Sequence, residues 1–423
     1  MTANERVRLV LASARVLYVN GQATEQMVSA AERLARALGL HATIVPRWGA
    51  LELLVDDEQG MMTFQVAADP TGVEMDRVAS MMRTIDAVVA GRLAPDAAVA
   101  RVEDIARLPP APTWLFALAA AAGAVALAIL FGVRHLPAAA LIFGSAGAGG
   151  FMRRALGRLS ANLFLQPFCA SVLAGLIGGL AVLHGISSSL RLVAVCPCMV
   201  LVPGPHFLNG ALDLANGRIG LGATRLIYAT GIVAAICAGL LIGVSLLGVS
   251  LPADAGGTVI PLWEDVVAAG VAVAAYSVFF STPSNMLPWP IAVGMLAHAL
   301  RWMALTKLGL GAASGALIAC MAVTLILTPV SRRTRMPFAA IGFAAVVSMI
   351  PGVYLFRLAS GLLQIADGSA VTLDLLGITA SDGMTAALII CAMCFGLIVP
   401  KMVIDYLSDR FIPSSSRRSP GCS

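Results

Sequence analysis

The chain has 423 residues, of which 59% are hydrophobic and only 12% are charged, and its mean hydropathy is +0.88. A soluble domain carries about 25% charged residues, so this composition excludes an ordinary soluble protein and indicates a polytopic α-helical membrane protein. The formal net charge of +5 does not indicate nucleic-acid binding, because the basic residues of the apolar part lie mostly beside predicted membrane spans.

Residues 1–112 hold 25 of the 51 charged side chains, so a polar N-terminal region precedes an apolar body. Hydrophobic periodicity predicts four helices and three short strands in this region. In chain order they cover 5–20, 25–38, 41–45, 51–55, 61–66, 73–90 and 95–107. We interpret 1–112 as a small α+β domain that ends in a proline-rich linker. Arginines interrupt its first apolar stretch and no cleavage site follows, which predicts a cytoplasmic domain without a signal peptide.

Ten apolar stretches follow, most of them close to the length of about 20 residues that a membrane-spanning helix needs. They cover 113–133, 137–152, 163–183, 190–215, 223–247, 263–281, 287–304, 309–329, 337–365 and 383–404. We divide them into a first five-helix module at 113–257 and a second at 258–410, followed by a cytoplasmic tail at 411–423. Because five is an odd number, the second module must enter the membrane from the opposite face, which predicts a 5+5 inverted repeat.

Basic residues indicate the orientation, since they stay preferentially on the cytoplasmic side of a membrane. Arginine clusters at 153–158, 332–335 and 410–418 all fall on the side of the N-terminal region if the first span leaves the cytoplasm. Acids, among them Asp265 and Asp382, are assigned to the opposite loops. We therefore expect a multi-pass protein of the cell (inner) membrane with both termini in the cytoplasm. The residues that depart from this bias are Arg134, Arg191, Arg301 and Lys307.

Two predicted spans contain a Pro-Gly pair well inside the apolar run, at Pro203-Gly204 in the fourth span and Pro351-Gly352 in the ninth. Proline lacks a backbone donor and clashes with the preceding turn, so both spans should break there. Such a break is tolerated only where the backbone is buried in protein or lines a cavity. Broken spans at matching positions of two modules are the best sequence indication of a transporter's binding site.

We expect the substrate to bind at these two breaks. Each half-helix that starts there would present N–H groups and the positive end of its dipole to an anionic group such as a carboxylate. Asn209 is as suited to bridging helices as to contacting a ligand. The candidate substrate-binding residues are Pro203, Gly204, His206, Asn209, Pro351, Gly352, Tyr354 and Arg357.

Three more residues are candidates for proton or charge coupling. Asp213 shares a helical stripe with His206 and Asn209 and is the only acid clearly inside a predicted span. It could pair with an ammonium group, carry a proton or lie at the inner interface. Arg225 opens the fifth span, where an ordinary interfacial charge is an equal interpretation. His298 could relay protons or simply be hydrogen-bonded.

Arg357 is costly in lipid and should face the protein interior. There it could hold a carboxylate or pair with Asp213.

Metal, cofactor and enzyme chemistry are not indicated. The pairs Cys196/Cys198 and Cys391/Cys394 lack the further ligands that a zinc site needs, so we expect no metal and no other cofactor. The sequence has no HExxH and no GxxxxGK[ST] motif, and the stretch AASG at 312–315 matches a serine membrane-protease loop only in part. We predict that the protein is not an enzyme and that an ion gradient or a partner supplies energy.

Several short motifs lie in the N-terminal region and in both modules. They are NGQATE (20–25), AAERLARALGL (30–40), VPG (202–204), NG (209–210), DL (213–214), GATR (222–225), FFSTP (279–283), LPW (287–289), Gly294, His298 and IPG (350–352). Through them the chain resembles the threonine/serine exporter family over nearly its whole length, in a form with two fused membrane modules. The resemblance implies export of threonine and serine by antiport, driven by the proton motive force. Some split relatives in the family are associated with dicarboxylate (succinate) export.

Three functions stay open on the sequence. A threonine/serine exporter would use Asp213 for the substrate ammonium or the proton. A dicarboxylate exporter would depend more on Arg225 and Arg357. A non-transporting membrane scaffold would use the N-terminal region to recruit partners. The expected partners are a small amino acid or carboxylate, protons and the lipid bilayer, but no nucleic acid. The sequence leaves open the transport stoichiometry and the oligomeric state, and a homo-oligomer is one possibility.

Overall fold

The computed structural model describes residues 1–57, 60–186, 190–249, 260–334, 338–366 and 371–411. It is mostly helical, with one three-stranded sheet. The predicted tail at 411–423 lies outside the described residues except for its first residue. Outside them also lie five charged residues used for the predicted orientation, namely Asp254, Arg335, Asp367, Arg417 and Arg418.

The N-terminal region (residues 1–112) combines four helices with the sheet. Its elements are α1 (Ala3–Val19), α2 (Thr24–Ala37), β1 (His41–Arg47), β2 (Gly49–Asp57), β3 (Gly60–Ala68), α3 (Met75–Val89) and α4 (Pro95–Ala106). The sheet is antiparallel in the order β1-β2-β3. Alternate residues of β2, namely Leu51, Leu53 and Val55, are buried in the same apolar core as α1 and α2, as their period of two predicts.

Helices make up the rest of the described chain, in two sets with the same succession of elements. The first set is α5 (Thr113–Leu130), α6 (Leu136–Leu159), α7 (Leu165–Leu183), α8 (Leu190–Met199), α9 (Gly204–Ala215) and α10 (Ile219–Ser245). The second set is α11 (Leu262–Phe279), α12 (Pro288–Thr306), α13 (Ala312–Thr334), α14 (Phe338–Val346), α15 (Gly352–Ala366) and α16 (Leu373–Phe411). One 3₁₀ turn precedes α12, and another (Val347–Met349) follows α14.

A bent helix pair takes the fourth position of each set. The chain turns by 54° between α8 and α9 and by 50° between α14 and α15. Pro203 is the N-cap of α9, and Pro351 directly precedes α15. Each bend therefore lies where a proline cannot continue the backbone hydrogen bonds of the preceding helix.

Within the described residues, six helices are long and apolar enough to cross a membrane, and up to eight spans result if each bent pair counts as one. These helices fit a polytopic membrane protein. The other two of the ten predicted spans correspond to α6 and α12. Three arginines lie in the last two turns of α6, and α12 contains two prolines, His298 and Arg301. The number of ten spans stays a prediction.

One predicted boundary is wrong in a way that affects the site. Helix α16 begins at Leu373, ten residues before the predicted start at 383. Asp382 therefore lies inside a helix and is buried, instead of lying in a loop. Asp265, counted with the loop acids although it falls at the start of the span predicted at 263–281, is buried in the first turn of α11. Neither acid was a candidate site residue on the sequence, because each stands at the end of an apolar run.

The two sets pack by the same pattern of neighbours. The third helix lies along the fifth in both sets, α7 with α10 and α13 with α16. The second helix contacts the first half of the bent pair, and the second half contacts the fifth helix. The first helices, α5 and α11, pack on each other and join the sets. This common pattern is expected of an internal repeat, whereas its inversion across a membrane stays a prediction.

Helices α7 and α10 approach so closely that their contact needs glycine. A Cβ atom on Gly239 or Gly243 would overlap the carbonyl oxygens of Phe168 and Val172 in α7. Small residues at a helix contact allow this approach and are typical of membrane helices.

We expect Gly243→Ala to lower the midpoint of thermal unfolding of the detergent-solubilised protein by several degrees, because the added methyl group must push α7 away from α10. Gly220→Ala in the same helix is the control, since a Cβ there meets no atom within 4 Å. Alanine is the better helix former, so the control should keep or raise the midpoint. A Gly243→Ala midpoint equal to that of the control would contradict the close contact.

Candidate functional site

The two predicted breaks lie against each other. Gly204, at the start of α9, packs against Phe343 of α14 and against Ile350, and a Cβ on Gly204 would overlap the Phe343 ring. Gly352, at the start of α15, packs against Met199 at the end of α8. Each half of one bent pair thus contacts the opposite half of the other, α8 with α15 and α9 with α14. The absence of a Cβ at these two glycines makes the close approach feasible.

The space at this crossing is small and apolar. A cavity of about 40 Å³ lies there, and its wall includes Val202, Phe207, Val346, Leu355 and Met393. A space of this size has room for a few water molecules but not for an amino acid. In this arrangement the polar pocket expected at the breaks is closed.

The first three residues of α9 have no free N–H group. Gly204 donates to the carbonyl of Val202 at 2.9 Å, and His206 donates to that of Pro203 at 3.1 Å. Pro205, between them, has no N–H to offer. The anion site predicted at this helix start therefore lacks backbone donors in the arrangement described here.

The start of α15 is different. Gly352 donates to the carbonyl of Ile350 at 2.8 Å, and Leu355 donates to that of Pro351 at 3.1 Å. Among the described residues, nothing accepts the N–H of Val353 or of the half-buried Tyr354 between them. Of the two predicted anion sites, this helix start is the one that keeps free donors.

Asp213 lies at the joint between α9, α10 and the N-terminal region. Its Oδ2 is 3.0 Å from Nε of Arg225 in α10, and it accepts a hydrogen bond from Thr24 Oγ1 at 3.0 Å. Arg225 is fully buried and also donates to Thr24 Oγ1 at 3.4 Å. One turn earlier in α9, Asn209 donates to the carbonyl of Gly21 at 3.2 Å. Three predicted site residues thus hold the α1–α2 loop (residues 20–24) against the membrane helices.

Two further contacts surround this joint. The ring of Tyr18 lies 5.3 Å from the Arg225 guanidinium, within the range of a cation–π contact. Burial raises the pKa of Tyr18 to about 12, so its hydroxyl keeps its proton, which it donates to the Arg47 carbonyl at 2.9 Å. At the exposed rim Glu25 pairs with Arg218 at 2.7 Å, a contact that water and salt weaken.

The N-terminal region also docks on the second set of helices. At the start of α3, the N–H groups of Met75 and Asp76 donate to the carbonyls of Phe280 and Ser281 at 2.9 and 3.0 Å. Glu74 lies beside this contact, and burial raises its pKa because it disfavours the charged carboxylate. The region therefore bridges both sets of membrane helices.

His206 faces a different environment from Asn209 and Asp213. Its ring is 4% exposed and meets the ring of Tyr228 edge to face, with centroids 5.1 Å apart. Tyr228 in turn contacts Trp48 of the N-terminal region at 5.2 Å. Pro203 and His206 line a cavity of about 340 Å³ whose wall also includes Thr71 of the N-terminal region. The predicted stripe of His206, Asn209 and Asp213 is thus divided between two contact regions.

His298 is buried in α12 between two polar partners. Its Nδ1 is 3.1 Å from Oδ2 of Asp265 in α11, and its Nε2 is 2.7 Å from Oγ of Ser348, in the 3₁₀ turn just before the second break. A carboxylate can only accept, so we assign the ring proton to Nδ1, and Nε2 then accepts from Ser348. Asp265, His298 and Ser348 form a continuous hydrogen-bonded chain that ends beside Pro351.

Arg357 pairs with Asp382 of α16 and not with Asp213. The distance from Arg357 Nε to Asp382 Oδ2 is 2.8 Å, and both side chains are largely buried. A buried guanidinium needs a counter-charge, and the early start of α16 provides one on the neighbouring helix. The alternative that Arg357 pairs with Asp213 is therefore wrong for this arrangement.

Four residues of these clusters were missed on the sequence. Thr24 belongs to the motif NGQATE, whose polar letters at a helix junction could have indicated a contact. Asp382 could have been found if the apolar residues before it had been included in the last helix. Asp265 falls inside the span predicted at 263–281 and could have been recognised there as a helix residue. Ser348 carries no signal, because a serine near a helix end is common.

The described cysteines do not form a metal site. Cys196 and Cys198 are buried in α8, while Cys391 is exposed on α16. Within the described part of the chain, no group of three or more His, Cys, Asp or Glu side chains could hold a metal ion.

Comparisons with known proteins cover most of the chain. The family model described as "Putative threonine/serine exporter" matches residues 8–247, and the model described as "Threonine/Serine exporter, ThrE" matches residues 265–403. A protein of Mycobacterium tuberculosis named "Probable threonine/serine exporter" is 25% identical over 395 residues, which cover 87% of this chain and 74% of the relative. No solved structure gives a significant match.

The Arg357–Asp382 pair gives a prediction for stability. We expect Arg357→Gln and Asp382→Asn each to lower the free energy of unfolding by about 3 kcal/mol, because each breaks a buried ion pair. The double variant should lose less than the sum of the single losses, as measured by chemical unfolding in mixed micelles.

The exposed pair Arg134–Glu264, at 3.3 Å, is the control for this cycle. Its coupling energy should stay below about 1 kcal/mol, because water screens it. Equal coupling energies for the two pairs would contradict the assigned burial of Arg357 and Asp382.

Proposed function

Because the chain belongs to the threonine/serine exporter family, we propose that it is a secondary active exporter of threonine and serine, driven by the proton motive force. The family suggests export of small amino acids and is one of transporters, and the apolar helices suggest a multi-pass protein of the cell membrane. We place it in the inner membrane with both termini in the cytoplasm, as the basic residues predict.

The observation that carries this proposal is the pair of bent helices whose breaks meet. Both bends take the same position in their sets, and Gly204 and Gly352 bring the two breaks into contact. Paired broken helices at a repeat interface are the usual place for a transporter's substrate. A scaffold that transports nothing would have no use for two such breaks in contact.

For the substrate, we assign the carboxylate to the start of α15. The free N–H groups of Val353 and Tyr354 lie there, at the positive end of the helix dipole. Pro203, Gly204, Pro351 and Gly352 form the two breaks around it. Because the crossing is closed here, substrate binding requires α8 and α9 to move relative to α14 and α15.

For the proton, two candidates are available on different sets. Asp213 holds Arg225 and Thr24, so its protonation would weaken the contact that ties α9 to the N-terminal region. His298 has Asp265 on one side and Ser348 on the other, and Arg301 lies in the next turn of α12. A proton on His298 would turn Nε2 from an acceptor into a donor beside the second break.

The dicarboxylate alternative receives less support. Arg225 and Arg357 would have to bind the two negative charges of succinate, yet each is paired with a carboxylate of the protein, Asp213 and Asp382. A dianion would have to displace both buried acids.

The test is efflux from proteoliposomes under an imposed proton gradient. We expect threonine and serine to leave loaded vesicles faster when the gradient is present, and a protonophore to abolish this difference. Succinate counterflow without threonine counterflow would support the dicarboxylate alternative. If neither threonine nor succinate moves, the non-transporting scaffold is the alternative that remains.

We expect Asp213→Asn to abolish gradient-driven threonine efflux per correctly folded molecule, because asparagine keeps the shape but cannot carry the charge or the proton. It also leaves Arg225 without this carboxylate, so the amount of folded protein is measured alongside efflux. Glu103→Gln is the control, since it removes a charge of the N-terminal region from an exposed pair with Arg107, at 3.6 Å, outside the joint. Its efflux should stay within about twofold of the original rate. Unchanged efflux by Asp213→Asn would remove Asp213 from the mechanism.

His298→Gln should separate two modes of transport. Threonine–threonine exchange needs no net proton movement and should be kept, whereas proton-driven efflux should fall by at least about tenfold. Thr324→Val removes another buried hydrogen bond, to the Leu397 carbonyl, and is the structural control in which both modes should change together. Parallel loss of exchange and efflux in His298→Gln would mean that this histidine is only structural.

A further inference from the structure

A polar cavity of about 690 Å³ lies where the N-terminal region meets both sets of membrane helices, and we name it the vestibule. The α1–α2 loop and α2 form one side, the end of α9 another, and the ends of α13 and α16 the rest. Its wall carries three acidic and three basic side chains, so their formal charges cancel. They are Glu25, Asp86, Asp213, Arg33, Arg332 and Lys401.

Three buried polar atoms in this wall have no hydrogen-bond partner among the described residues, and one of them is Gln26 Oε1, an acceptor on a half-buried side chain. Gln22 is 0% exposed and its Nε2 is unpaired, and Thr328 is 2% exposed and its Oγ1 is unpaired. Buried polar atoms in proteins are nearly always hydrogen-bonded, so three exceptions in one cavity wall indicate a ligand. Gln22 Nε2 is a donor and Thr328 Oγ1 can donate or accept, which suits a carboxylate and a hydroxyl.

We propose that the vestibule binds a zwitterionic hydroxy amino acid before it reaches the breaks, and that Gln22 and Thr24 of the N-terminal region are part of this binding site. The inference rests on the proposed function and adds where the substrate is first bound and what the N-terminal region does. It also names the substrate class, because the balanced charges of the wall match a molecule with one positive and one negative group.

A dianion such as succinate fits the vestibule poorly. A second carboxylate would have to lie beside Glu25, Asp86 or Asp213, where a zwitterion places its ammonium group, and the like charges would repel. A zwitterion can place its ammonium group at an acid and its carboxylate at a base at the same time. The vestibule therefore selects net-neutral amino acids over dicarboxylates.

Asp213 connects the vestibule to the breaks. It lies nine residues after Gly204, at the other end of α9, which corresponds to about 13 Å along the helix. Its carboxylate is held by Arg225 and by Thr24 of the vestibule wall. A substrate ammonium that competes for this carboxylate would loosen α9 from the α1–α2 loop, on the route toward the crossing.

The first test is protection of an introduced thiol. Asn216 lines the vestibule, is exposed and bonds only within its own helix end, to the Leu212 carbonyl, so Asn216→Cys should fold normally. We expect threonine at about ten times its dissociation constant to slow maleimide labelling of the introduced cysteine about tenfold, and the same concentration of succinate to leave the rate unchanged. Ala97→Cys, on the exposed face of α4 and outside the vestibule, is the control and should react at one rate throughout.

The second test uses two substitutions that keep side-chain volume. Gln22→Leu and Thr328→Val should each raise the internal threonine concentration for half-maximal efflux by about five- to tenfold, as expected for one lost hydrogen bond to a ligand. Ser277→Ala removes a buried, unpaired hydroxyl outside the vestibule and should leave that concentration unchanged.

The outcomes separate this inference from the proposed function. If the original protein exports threonine but threonine fails to protect the thiol introduced by Asn216→Cys, or succinate protects it equally, the vestibule is not an amino-acid site. An unchanged half-saturating concentration in both wall variants would overturn the inference as well. If the original protein does not move threonine at all, the proposed function itself fails.

Discussion

The arrangement depends on one buried ion pair, between Asp213 of α9 and Arg225 of α10. Arg225 has no access to solvent, so its charge requires the carboxylate beside it. The pair is completed by Thr24, which comes from the N-terminal region and binds both partners. Breaking it would weaken the hold on the second half of the bent helix and on the α1–α2 loop, which Asn209 also contacts through the Gly21 carbonyl. The role of the N-terminal region follows from this contact.

The second set has a corresponding pair with the charges exchanged. In the first set the acid lies on the second half of the bent pair and the arginine on the next helix. In the second set Arg357 lies on the bent pair and Asp382 on the next helix. One buried ion pair thus connects each bent helix to its neighbour, and the two breaks meet between these ion pairs. If a transporter moved its two bent helices in turn, one of these ion pairs would break while the other stayed formed.

Proline and glycine chemistry is local, and for that reason both breaks could be predicted from the sequence. Pro203 and Pro351 interrupt their helices whatever surrounds them, and hydropathy located most of the membrane helices around them. The partners of the polar residues could not be predicted, because they are distant in the chain. Thr24 and Asp213 are 189 residues apart, and only their shared docking surface brings them together. Asp382 was misplaced because hydropathy puts an acid at the edge of an apolar run outside the helix. Asp265, at the start of a predicted span, was counted as a loop charge although its helix includes it.

The sequence by itself determined that this is a helical membrane protein of the threonine/serine exporter type with two interrupted helices. Composition, hydropathy and backbone chemistry are properties of short stretches, so they can be recognised before the fold is known. Only the tertiary structure decided that the two breaks touch, that Arg357 pairs with Asp382, and that Asp213 faces the N-terminal region and a charge-balanced cavity. A buried charge takes the nearest counter-charge in space, and no pattern along the chain records that distance.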